Sequence, residues 1–108
     1  MMEKVYNKLV RDNIPEIIKS NGGNPIIRRL NDMEYKRALE DKLFEEYKEV
    51  LEAIGNDRIE ELADMLEIML SLANLQNKNL SDIIDVMEKK RIKRGAFTKK
   101  LFLEKVIE

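Results

Sequence analysis

Two acidic patterns lie close together in the chain: Glu45, Glu46 and Glu49 form EExxE, and Glu61 with Asp64 forms ExxD. A helix turns by about 100° per residue, so positions i and i+3 share a face one turn apart. Glu46 therefore stands over Glu49, and Glu61 over Asp64. If the two helices pack as an antiparallel pair, the four side chains converge. A carboxylate turned toward a core is costly unless it is paired, protonated or bound to a cation, and crowded like charges raise that cost. Oxygen donors from Asp and Glu are the usual holders of a hard divalent cation, and that is the chemistry this spacing suggests.

Solvated Glu and Asp are common on charged helices, so placement must decide. Projected as a helix over about 59–76, the second segment has an apolar arc that includes Ile59, Leu62, Met65, Leu66, Met69 and Leu72, widened by Ile68 and Leu75. Glu61 falls between Ile68 and Leu72, inside the arc, and Asp64 beside Leu75 at its border. The first helix carries the stripe Leu39, Leu43, Tyr47, Val50, Leu51 and Ile54. Glu46 flanks that stripe and Glu49 lies farther round.

What the chain lacks narrows the donor set. None of its 108 residues is His or Cys. That excludes His-ligated zinc, Ser-His-Asp catalysis, the Glu-x-x-His pairs of di-iron bundles, disulfides and thiolate chemistry. A site built of carboxylates alone is left with magnesium, manganese or calcium. A net charge of −1 gives no reason to expect a nucleic-acid polymer as partner. No apolar run reaches membrane-spanning length and the N-terminus has no signal-peptide pattern, so no membrane partner and a cytoplasmic location are expected. With 38% charged and 44% apolar residues, four Gly and two Pro, the composition suits a single helical domain over 1–108.

Three main helices must position the acidic groups. The first is predicted over about 32–54, capped by Asn31 or Asp32 and ended by Gly55 as a left-handed C-cap. The second is capped by Asn56 or Asp57. The third runs from Ser81, as N-cap, to about Arg94. A short helix over about 14–19 carries Pro15 in its first turn, where Pro is tolerated. Residues 26–30 read as a strand, and the partner that the chain offers is 102–107, giving a small two-stranded ribbon. On the third helix the stripe Leu80, Ile83, Ile84 and Met87 turns basic at Lys90, Arg91 and Arg94, with Lys93 nearby. These cations complement the helix dipole, or they bind phosphate oxygens beside the acidic site together with Lys8 and Arg11.

Taken together, EExxE, ExxD, the opening YNKLVRDNIP from Tyr6 to Pro15 and the closing KRGAF from Lys93 to Phe97 resemble the MazG-like, all-α nucleoside triphosphate pyrophosphohydrolase superfamily. The resemblance covers nearly the whole chain and is closest to a small YNKLVRDxIP subgroup. It implies an all-α helical bundle whose core is completed by two subunits, hence a homodimer, with a tetramer as the larger option. It also implies magnesium-dependent cleavage of a nucleoside triphosphate between its α and β phosphates, giving monophosphate and pyrophosphate. By that resemblance the metal ligands are Glu46, Glu49, Glu61 and Asp64, with Glu45 as a water-orienting base. Lys8, Arg11, Lys90, Arg91, Lys93 and Arg94 are the candidate phosphate clamps, and Glu45 or Glu46 the candidate proton acceptor. The subgroup's role is taken by analogy to be removal of non-standard nucleotides. A phosphoribosyl-ATP pyrophosphohydrolase is the related alternative. A helical dimer that binds a partner without catalysis is the alternative from another class, motivated by the breadth of the apolar arc.

Overall fold

A computed structural model of the chain describes residues 2–108. Among them are four helices and no strand: α1 (Ile14–Ser20), α2 (Asp32–Glu52), α3 (Asn56–Asn74) and α4 (Leu80–Arg94). The expected all-α class is what the chain adopts. Its centre is the hairpin of α2 and α3, the one extensively packed pair of helices, while α4 touches α3 lightly and makes no contact with α2.

Local chemistry sets the ends of these helices. Asn31 accepts a hydrogen bond from the Glu34 backbone N–H at 2.9 Å, and the Glu34 carboxylate accepts one from the Asn31 N–H at 3.2 Å. This reciprocal cap satisfies two donors that the first turn of α2 would otherwise leave open. Arg28 also grips Glu34, and that hydrogen bond, with the cap, holds its carboxyl below the ordinary value. Replacing Asn31 with Ala is expected to cost about 1 kcal/mol of stability, measurable by urea denaturation.

The turn into α3 departs from expectation. The chain leaves α2 in extended conformation at Ala53, whose carbonyl accepts from Arg58 Nε at 2.9 Å. Gly55 has φ of 60° and ψ of −134°, but it sits at the N-terminus of α3 rather than closing α2. Glycine is needed because the chain reverses there through a backbone region that side chains disfavour. At α4 the cap is Asn79, not Ser81: Asn79 accepts from the Asp82 N–H, Asp82 accepts in return, and Ser81 Oγ donates to Asn79 Oδ1 at 2.6 Å. Ser81 thus props the cap from inside the helix.

The two-stranded ribbon does not form within the chain. Residues 24–30 and 101–108 lie outside any helix or turn and make no backbone hydrogen bond to another described residue. A lone strand has nothing to satisfy its ladder, so neither segment becomes one.

Burial is sparse. Only Leu39, Ile68 and Glu46 are buried among the described residues. The hairpin closes on the Leu39–Glu46 side of α2, leaving Tyr47, Leu51 and Ile54 outside it. Phe44 and Tyr47 stack on each other at 6.3 Å on the exposed side. The radius of gyration is 18.8 Å, against about 13 Å for a compact domain of this length. The surface of 10590 Å² likewise exceeds the roughly 6,200 Å² expected of a folded monomer of this size.

Candidate metal centre

Where α2 and α3 face each other near the turn, three carboxylates meet. Glu46 comes from α2, and Glu61 and Asp64 from successive turns of α3; each offers an oxygen, and all three oxygens lie within 4.8 Å of one another. Glu46 is buried at 7% exposure, and Glu61 and Asp64 are half-buried. Oε2 of Glu46 and Oε2 of Glu61 are shielded from solvent and accept no hydrogen bond. An orphaned buried carboxylate oxygen forfeits its solvation without a return. Two orphans beside a third carboxylate are a donor set that fits a hard divalent cation.

The electrostatics agree with that geometry. Glu61 is pushed up to about 7, first by its hydrogen-bonding proximity to Glu49, then by burial and by Glu46. Glu46 is raised by burial above all, then by the charges of Glu49 and Asp64, with a partial offset from Glu61. In the absence of a cation the cluster therefore favours holding a proton.

A stability consequence follows by linkage. A carboxyl raised from its ordinary 4.5 to about 7 binds its proton more tightly in the folded chain. Its contribution is complete below the unfolded value and is lost as pH rises through the folded one. Between about pH 4.5 and about pH 7, the melting temperature of chelator-treated protein should fall on this account. A divalent cation should restore more of it at the upper end of that range, because the ion takes the deprotonated form. Melting curves at a series of pH values, with and without magnesium, check both slopes.

Around this triad the other candidates are placed as follows. Glu49 is exposed but close enough to raise Glu61. It lines an open cleft of about 340 Å³ with Glu52, Asp57, Glu60 and Glu61. Glu52, Asp57 and Glu60 escaped the sequence reading, although Glu52 follows Glu49 at the same i+3 spacing. A cleft lined by five carboxylates repels an anion unless cations intervene. Glu45 lies on the exposed side of α2 and outside the triad. Arg11 is brought to the site, its Nη2 standing 2.7 Å from Asp64 Oδ1. Lys8 is exposed, with Nζ 5.6 Å from the centre of the Tyr6 ring. Lys90, Arg91, Lys93 and Arg94 are exposed at the far end of α4 and form no ion pair with a described residue. Among the described residues no helix is long and apolar enough to cross a membrane.

Comparison with known proteins adds a family. The MazG nucleotide pyrophosphohydrolase domain matches residues 35–96, more than half of the chain and all of the triad. An uncharacterised protein of Mycolicibacterium smegmatis is 50% identical over 50 residues, 46% of this chain. The matched stretch spans about half, 51%, of that relative's length. No solved structure matches.

Proposed function

The chain belongs to the MazG nucleotide pyrophosphohydrolase family, and from that we propose that it hydrolyses a nucleoside triphosphate between the α and β phosphates, releasing monophosphate and pyrophosphate. The observation that carries this reading is the pair of orphaned oxygens, Glu46 Oε2 and Glu61 Oε2, buried between α2 and α3. A bundle that served only to hold a partner would gain nothing from that arrangement and would lose stability by it.

Magnesium, with manganese as a substitute, suits the oxygen donors of Glu46, Glu61 and Asp64, with Glu49 at the edge. When bound, the ion supplies charge neutralisation for the polyphosphate and acidifies water at the reacting phosphorus. Glu45 or Glu46 accepts the proton from the attacking water as the pyrophosphate leaves on the opposite side. Arg11 already stands at the cluster and is placed to grip a phosphate oxygen. Lys8, Lys90, Arg91, Lys93 and Arg94 complete the clamp. Since α4 makes no contact with α2 in the same chain, its cations are proposed to reach the substrate from a second subunit.

A homodimer is part of this proposal. On α3, Ile59, Leu62 and Leu66 remain exposed along the part of the arc that α2 does not cover. On α2, Tyr47, Leu51 and Ile54 do the same. A second hairpin laid against these faces would bury them in a four-helix core. Removal of non-standard nucleotides in the cytoplasm is the proposed role. Incubation with a panel of standard and modified nucleoside triphosphates plus phosphoribosyl-ATP, with magnesium, tests the reaction. Pyrophosphate release from at least one member is the expected result, and release from none of them overturns the reading. A preference for phosphoribosyl-ATP would move the role from house-cleaning to that substrate.

A further inference from the structure

Two stretches of this chain have the composition of strands, yet have no ladder. Residues 26–30 read IIRRL and residues 101–108 read LFLEKVIE. Neither belongs to a helix or turn, and Ile26 is 90% exposed and Phe102 88%. Their backbone donors and acceptors meet no other described residue. Together they display Ile26, Ile27, Leu103, Val106 and Ile107 to solvent. An open, apolar, unpaired edge is a template for pairing with another chain.

We propose that the two segments pair with each other between copies, the C-terminal arm of one subunit adding as a strand to residues 26–30 of the other. Several observations select a second copy as the occupant. The chain carries both halves of the ribbon and joins them in neither place. A twofold pair therefore gives every one of these segments in both subunits a partner strand and closes the assembly. The charges match on one face of the arm: Arg28 and Arg29 lie on one segment, and Glu104 and Glu108, an even number of residues apart, on the other, with Lys105 on the opposite face. Arg28 is already engaged by Glu34, which leaves Arg29 to face the arm. The surface excess over a folded monomer is large enough to supply the 2,000–5,000 Å² or so of a permanent homodimer interface. At Gly95, with φ of 85° and ψ of 177°, the chain leaves α4 and passes outward into the arm rather than folding back on the hairpin.

This pairing is distinct from the helix faces described above and does not depend on the enzymatic reading, since neither segment contains a candidate catalytic or clamp residue. The natural absence of cysteine makes it directly testable. Full-length Ile27→Cys with one affinity tag is co-expressed with a single-cysteine partner carrying another tag, the cysteine placed in turn at each of positions 102–106. After mild oxidation, doubly tagged covalent dimers should form with arm positions that alternate along the sequence, because successive strand residues point to opposite faces. Double variants carrying both cysteines in one chain should cross-link between chains. Deuterium exchange on the unmodified protein gives the second reading. Amides of residues 26–30 should be protected at least about tenfold, and lose that protection on dilution or when the chain is stopped after Lys100. Cross-linking within a chain, cross-linking without alternation, or free exchange of residues 26–30 at high concentration would each overturn the proposal.

Discussion

Glu61→Gln and Glu46→Gln should each lower magnesium-dependent pyrophosphate release by roughly a thousandfold. In each variant an amide of almost the same size replaces a carboxylate whose outer oxygen is shielded and unpartnered. The loss is therefore one of charge and donor strength rather than of volume. Thermal stability in chelator should move the opposite way. Removing a negative charge from a cluster that raises Glu61 to about 7 relieves crowding that the metal-free protein bears near neutral pH. Activity lost together with a higher melting temperature is the signature of side chains held for function at the expense of stability. Calorimetry should also show magnesium binding weakened in both variants. Parent-like turnover in both variants would remove the metal centre from the mechanism.

The second large effect concerns assembly. Leu66→Glu sets a charge in the uncovered part of the α3 arc, beside Leu62 and Met69, which are also exposed. In a twofold interface the substitution enters twice. At about 2–4 kcal/mol for each central position, the dissociation constant should rise by three orders of magnitude or more. Sedimentation equilibrium should therefore find a dimer for the parent chain and a monomer for the variant. Helix content should change little, because Leu66 lies off the face that α3 turns to α2. A parent chain that sediments as a monomer would refute the dimer, and a variant that remains dimeric would place the interface elsewhere.

Local signals in the sequence proved reliable where the deciding groups were a few residues apart. The capping of α2 at Asn31, one of the two residues expected there, and the convergence of Glu46, Glu61 and Asp64 across a hairpin follow from spacing within one or two elements. The α4 cap was misplaced because Ser81 and Asn79 are both competent, and only three-dimensional geometry shows the serine hydroxyl propping the asparagine. Glu46 is more deeply buried than its place on the flank of the α2 stripe suggested. A helical projection finds an apolar face but does not say which part meets the neighbouring helix and which is left over. Here the hairpin used the side containing Leu39 and Glu46, and half of the stripe, Tyr47, Leu51 and Ile54, was left outward. The ribbon failed for a related reason: pattern identifies a strand-forming segment, not the chain that will satisfy it.

The contact between Arg11 and Asp64 joins the segment ahead of α1 to the hairpin by one exposed ion pair. Such a contact is worth only about 0–1 kcal/mol and weakens as salt rises. It occupies an oxygen of the very residue that completes the carboxylate triad. Any dication drawn to Asp64 competes with the guanidinium for its negative charge, so loading the centre and loosening the leading segment are opposing claims on one carboxylate. The tether is weak enough to yield, and once displaced its positive charge is freed at the doorway through which a polyanion would arrive.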